Sequence, residues 1–248
     1  MVHEQNFLKL INKGYQFKIG EYISKGLDLF KKDSVNFIVA YFFCIILSFI
    51  PFCSVMAIGN FYKICKKVDE GKKGNAGDIF DFTDFLPYFK FQIFLVGLIL
   101  LITIPLEIFM LPLILVASQN QESVPASDVF TYLTGGFFSL FFLIFLLAGL
   151  IGAALHFFMP LISNFRITRV RDAIQLSWKI AKKRLFMILV FIALMYILSM
   201  IGFVFCFIGI VITAPIVLCM KYISAKDILI LQNDIQLDEL EEIGKPTE

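Results

Sequence analysis

Charge is scarce in this chain, and positive charge is missing from one long stretch altogether. Charged residues make up 17% of the 248 positions, against about 25% in soluble domains. Between Lys90 and Arg166 there is no Lys or Arg at all. Histidine is limited to His3 and His156; two residues cannot form a His cluster for a catalytic metal, and no HExxH occurs. Neither GxxxxGK[ST] nor GxGxxG is present, so a nucleotide-driven machine is not expected. Ser48, Ser199 and Thr213 have no His or Lys companion at helical spacing, which weighs against an intramembrane protease. The five cysteines, Cys44, Cys53, Cys65, Cys206 and Cys219, lie in or beside apolar blocks without CxxC spacing. Neither a disulfide framework nor a zinc site is expected from them. Residues 1–34 are charged throughout and lack an apolar core before a small-residue cleavage site, so no signal peptide is expected. The sequence points away from an enzyme, a cofactor and a nucleic-acid partner.

What the chain has in abundance is apolar surface. Hydrophobic residues reach 59%, with 30 Phe, and mean hydropathy is +0.84. The cation-free stretch holds two long apolar blocks, 91–117 and 132–162, joined by a short polar segment with Glu122 and Asp128. The near-neutral net charge of +2 conceals an asymmetry, because residues 1–34, 60–90 and 163–185 hold 19 of the 22 cations. Lys/Arg-rich segments stay on the cytoplasmic side of a membrane. The cation-free stretch therefore reads as a hairpin that crosses, turns in an external loop and returns.

Two further apolar blocks, 35–62 and 186–221, carry cations at both ends. A single crossing by the first would place 60–90 and 163–185 outside, against that rule. Each block is therefore expected to enter and return, turning at Pro51 and near Gly202. The expected fold is all-α, a polytopic transmembrane helical bundle of about six membrane segments, with two short hairpins flanking two long helices. The segments fall at about 35–50, 52–66, 91–117, 132–162, 186–201 and 203–221. They form one integral membrane domain, 1–224, followed by an acidic cytoplasmic tail, 225–248, with both termini cytoplasmic. The short arms have roughly 15–18 residues against the ~20 of a full span. Tilted short helices and re-entrant segments both fit that length.

A shift of 151 positions places Ile23, Leu27, Lys31, Lys32, Ser48, Ile50 and Phe52 on Ile174, Trp178, Lys182, Lys183, Ser199, Ile201 and Phe203. Duplication and the chance similarity of apolar sequence both explain these matches. Within 166–185, Ile167, Val170, Ile174, Trp178, Ala181 and Leu185 recur at spacings of three and four, which gives one apolar helical face. Trp178, Arg169, Lys182 and Lys183 would anchor such a helix at the headgroup layer. A cytoplasmic helix packed on the bundle fits the same pattern. A second interfacial segment, with Phe82, Phe85, Tyr88 and Phe89 among carboxylates, leads toward the 91–117 block.

Glu107 is the sharpest functional candidate, because it lies in an apolar block beside Pro105 and a carboxylate is costly at membrane depth. Its position near the outer end of that block also fits a water-exposed residue. His156 is the other ionisable residue well inside a block, where packing competes with a ligand role. Ala148, Gly149, Gly152 and Ala153 form small-xxx-small pairs that mark close helix packing. Gly202 and Gly209 mark a turn or contact in the last block.

The stretch Phe157-Phe158-Met159-Pro160-Leu161, the run Asp172-Ala173-Ile174-Gln175-Leu176-Ser177-Trp178, and the series Gly202, Cys206, Gly209, Thr213, Pro215 together form a pattern. With Phe17-Lys18-Ile19-Gly20, Gly26 and Phe30-Lys31-Lys32, it resembles an uncharacterised bacterial (Bacteroidota-type) multi-spanning membrane protein family. That family is related to the membrane domain beside some glycerophosphodiester phosphodiesterases. The resemblance covers both ends of the chain, and the catalytic barrel is absent from this sequence, so it implies fold and location without enzyme activity. The expected role is an inner-membrane structural or accessory protein engaging membrane lipids and a membrane-protein partner or a second copy. The alternative is a small-solute or ion permease using Glu107.

Overall fold

The computed structural model describes residues 16–119, 144, 147–165, 170–204 and 208–243. Among them every regular element is helical and no strand occurs. The helices are α1 (Ile19–Lys32), α2 (Ser34–Ser48), α3 (Ser54–Asp69), a 3-10 turn (Ala76–Phe80), α4 (Phe85–Gln119), α5 (Phe158–Phe165), α6 (Val170–Lys183), α7 (Leu185–Val204) and α8 (Ile208–Ile243). Residues 147–154 are also helical and lead into a turn through Phe157.

Local sequence sets these boundaries. In α1, Tyr22, Gly26, Leu29 and Phe30 are buried on one face, at the spacing of a helix that packs by one stripe. Asp33 breaks the chain between α1 and α2, and its carboxylate accepts both contacts of the Asn36 amide at 2.9 Å. The same amide reaches the Gly74 carbonyl at 3.1 Å, tying the start of α2 to the loop after α3. The α2–α3 turn covers Phe49–Cys53, with Phe52 at a φ of 66°. At the other end of α3, Gly71 takes a φ of 76°. There Lys72 N–H bonds to the Lys67 carbonyl at 2.9 Å and Gly71 N–H to Val68 at 3.1 Å. This is the Schellman closure, and glycine is the residue that adopts its left-handed position at least cost.

Among the described residues three helices are long and apolar enough to cross a membrane: Phe85–Pro105, Leu185–Gly202 and Gly209–Ile228. Only 11% of the first window is buried against 44% of the third, so α4 faces outward while α8 is central. Around α8 pack α1, α7, α2 and α3. The other expected segments differ from these three. The 35–50 segment is α2, an apolar helix of 15 residues, or about 22 Å at 1.5 Å per residue. The 52–66 segment is α3, which holds Asn60, Lys63, Lys66 and Lys67 and is not among the apolar helices. Of the 132–162 segment, 132–143 and 145–146 lie outside the described residues, and its later part belongs to a shorter apolar helix, Leu147–Ser163. The boundary expected at 224 falls inside one continuous helix, α8.

The 151-residue shift reappears in the helix bounds. It carries α1, Ile19–Lys32, onto α6, Val170–Lys183, both of 14 residues, and Ser34 onto Leu185, the first residues of α2 and α7. Asp33 and Arg184 occupy the equivalent breaks.

Candidate functional site

Buried polar side chains gather where the charged end of the α8 membrane window meets α1, α3 and the turn before α5. Lys221, Tyr222, Ser224, Lys226 and Asp227 break the apolar sequence of α8, and Tyr222, Ser224 and Lys226, at every second position, project around the helix toward different neighbours. The Tyr222 hydroxyl donates to Asp69 Oδ2 at 3.0 Å, and Lys226 Nζ pairs with the same oxygen. From α1, the Tyr22 hydroxyl donates to Asp227 Oδ2 at 2.9 Å. Tyr22 itself is 1% exposed, and its ring packs edge-on against Phe17 at 5.0 Å and Phe191 at 6.1 Å. Asp69 and Tyr22 thus fix α8 to α3 and α1 through charge-assisted hydrogen bonds, the stronger class. One helical turn deeper, Cys65 Sγ and Cys219 Sγ lie 4.0 Å apart across the α3–α8 contact.

His156 joins this cluster. Its Nε2 lies 3.0 Å from Ser224 Oγ, which also donates to the Lys221 carbonyl at 2.8 Å. Phe157 and Phe191 stand edge-on to the imidazole at 4.8 and 5.7 Å. The turn carrying His156 is held in turn by Ser177 of α6. The Ser177 hydroxyl donates to the Ala154 carbonyl at 2.6 Å and accepts from Phe157 N–H at 3.2 Å. His156 is therefore a packed, hydrogen-bonded residue between α6, α7 and α8.

A second polar group surrounds the middle of α3. Asn60 is fully buried, and its amide donates to the carbonyls of Ile79 at 3.0 Å and Asp81 at 2.8 Å. Lys63 pairs with Asp81 at 3.3 Å and Asp84 at 2.8 Å. Asp81 also accepts from the Thr83 hydroxyl and from Thr83 N–H. Those bonds, the hydroxyl foremost, hold its carboxyl below the usual carboxylate range.

The other sequence candidates fall as follows. Glu107 belongs to α4, and its side chain lies outside the described residues. Arg169 lies outside them as well. In α6, Ala173, Ser177, Ile180 and Ala181 are buried while Trp178 remains 42% exposed. One face thus packs on the bundle and Trp178 flanks it, with Lys182 and Lys183 exposed in the last turn. A Cβ on Gly149 would make an ordinary contact with Leu189 at 3.7 Å, and one on Gly152 would meet nothing within 4 Å. Close packing at Gly152 is thus absent among the described residues. Gly202 and Gly209 do approach closely: a Cβ on Gly202 would lie 2.9 Å from the Gly209 carbonyl carbon.

Among the described residues no group of three or more His, Cys, Asp or Glu is placed to hold a metal ion. The chemistry on display is hydrogen bonding and ion pairing between helices. No protein-family model, no curated protein and no solved structure matches the chain.

Proposed function

We propose that this chain is an integral membrane helical bundle of the bacterial inner membrane, acting as a structural or accessory protein that engages lipid and a membrane-protein partner or a second copy. Its helices enter from the cytoplasmic side, where the cation-rich segments and both termini remain, with the long helices crossing and the short hairpins returning. The observation that carries the reading is the outward apolar surface of α4 and α7. Ile99, Leu101 and Ile104 are 57%, 72% and 49% exposed, and Phe186, Ile197 and Met200 are 78%, 58% and 55% exposed. Contiguous apolar surface on this scale marks contact with a membrane or a partner. Hydrocarbon is the solvent that tolerates it along whole helices. The polar clusters behind it are occupied in joining helices, which fits a scaffold.

The test is purification from native membrane into lipid nanodiscs, with mass spectrometry of what accompanies the chain. Reproducible recovery of a lipid class or one partner protein supports the accessory reading. Solute or proton flux in proteoliposomes that disappears in Glu107→Gln overturns it in favour of the permease.

A further inference from the structure

The turn joining α2 and α3 is apolar from Phe49 to Cys53, and its large side chains lie outside the core: Phe49 is 85% exposed, Ile50 49% and Phe52 38%. It differs in kind from the sequence between the two long apolar blocks, which carries Asn120, Gln121, Glu122, Ser123 and Asp128. A loop that emerges on the far side of a membrane meets water and headgroups. One without a polar side chain is suited to hydrocarbon.

Three of the four backbone N–H groups of the turn, those of Phe49, Ile50 and Cys53, are satisfied within the protein. Phe49 N–H bonds to the Ile46 carbonyl at 3.2 Å, Ile50 to Leu47 at 3.1 Å and Cys53 to Ile50 at 3.2 Å, while Pro51 has no N–H to satisfy. The Ser48 hydroxyl donates to the Cys44 carbonyl at 2.7 Å. Irregular backbone at membrane depth has to meet its hydrogen bonds within the protein.

Depth follows from the contacts with α4. Phe52 packs its ring on Phe89 at 5.2 Å between centroids, and Gln92 Nε2 donates to Ser54 Oγ at 3.1 Å. Tyr88 fills the space beside Gly59. The helices run antiparallel, and the turn is level with Phe89–Gln92. The apolar window of α4 spans Phe85–Pro105 and holds the exposed Lys90, whose long stem lets its amine reach the headgroups from that level, so the turn sits no deeper than about 6–10 Å into a hydrocarbon core of about 30 Å. About 20 Å of α4 remains beyond it. The charged collar of Lys63, Asp81 and Asp84 lies nine residues back from Ser54 along α3, or about 14 Å. Charges at that level belong among headgroups, and the distance matches one leaflet rather than two.

We infer that the α2–α3 hairpin is a one-leaflet wedge. It inserts from the side on which α4 begins, its collar stays at the headgroups, and Phe49, Ile50 and Phe52 contact lipid acyl chains without reaching the far side. The partner of this surface is lipid, because the turn is continuous through Phe52 and Phe89 with the exposed apolar face of α4 at Ile93, Phe94 and Val96. The inference rests on the membrane reading of the preceding subsection.

The experiment places an environment-sensitive fluorophore on single cysteines, Ile50→Cys and, as a control on α4, Val96→Cys, in the reconstituted full chain. Quenching is measured with spin labels at the headgroup, the upper acyl chain and the lower acyl chain, and with aqueous iodide on each side. The expected result at Ile50 is strongest quenching by the upper acyl label and protection from iodide on both sides. Quenching by iodide from the side opposite the α4 start shows a crossing hairpin and overturns the wedge. Iodide quenching from the near side, with Val96 still quenched by lipid, shows a hairpin facing water or a protein partner and overturns the wedge alone. Iodide quenching at both positions overturns the membrane reading together with the wedge. Phe49→Cys, the most exposed position of the turn, repeats the measurement should Ile50→Cys disturb folding.

Discussion

Two glycines in α1 carry opposite expectations, and the contrast probes the packing of α1 on α8. A Cβ added to Gly26 would lie 2.5 Å from Met220 Cγ, 2.7 Å from its Cα and 2.9 Å from its backbone nitrogen. The flexible side chain can move, but the α8 backbone is fixed by its neighbours. Gly26→Ala therefore pushes the helices apart, with an overpacking cost of about 1–3 kcal/mol. Alanine returns up to about 1 kcal/mol of helix propensity, leaving a net loss on the order of 1–2 kcal/mol. At Gly20, in the same helix, a Cβ meets nothing within 4 Å. Only the propensity gain applies there, so Gly20→Ala stabilises by about 0.5–1 kcal/mol. For a chain of this size 1 kcal/mol corresponds to roughly 2–4 °C in melting temperature. Thermal unfolding in detergent micelles, followed by circular dichroism, should show the two variants moving to opposite sides of the parent. An unchanged or raised midpoint in Gly26→Ala would refute the α1–α8 contact as described.

Two further outcomes follow from the polar groups. A double-mutant cycle of Asp69→Ala and Lys226→Ala should give a favourable coupling on the order of 1 kcal/mol, reduced because Lys226 is 38% exposed and solvent screens it; additive losses would mean that the α3–α8 tie contributes nothing. Asp81, whose folded pKa is depressed by Thr83, stabilises the fold above the unfolded value of about 3.9 and loses that stabilisation as pH falls through the lower folded value. Thr83→Val should flatten the decline of the unfolding midpoint below about pH 4, and an identical acid profile for parent and variant would show that the bond is not made.

The long helices were legible in the sequence because apolar blocks of ~20 residues mark them, and so were the amphipathic α6 from its spacings of three and four, the turn at Pro51 and the close glycines of the last block. The polar cluster at the end of the α8 window was not, since it joins Tyr22 to Asp227 and Asp69 to Lys226, pairs far apart along the chain. Its local signal was the polar interruption at Lys221, Tyr222, Ser224, Lys226 and Asp227 after an apolar run. The depth of the α2–α3 hairpin also escaped hydropathy, because alternation of apolar blocks records that a segment turns back but not how far it travels. Asn60 and Lys63 were the residues that carried that information. They make α3 a helix with a charged collar, and the collar acquires a level only when Asp81 and Asp84 are brought beside it.

The sidedness of the bundle is tested most directly by labelling single cysteines with a membrane-impermeant maleimide in intact cells and in inverted vesicles. Lys73→Cys, on the exposed loop after α3, and Ser123→Cys, in the polar segment between the long blocks, are compared after the native cysteines are replaced by alanine. Lys73→Cys should react only in inverted vesicles and Ser123→Cys only in intact cells. Labelling of both from the same side would contradict a membrane crossing between Lys90 and Ser123.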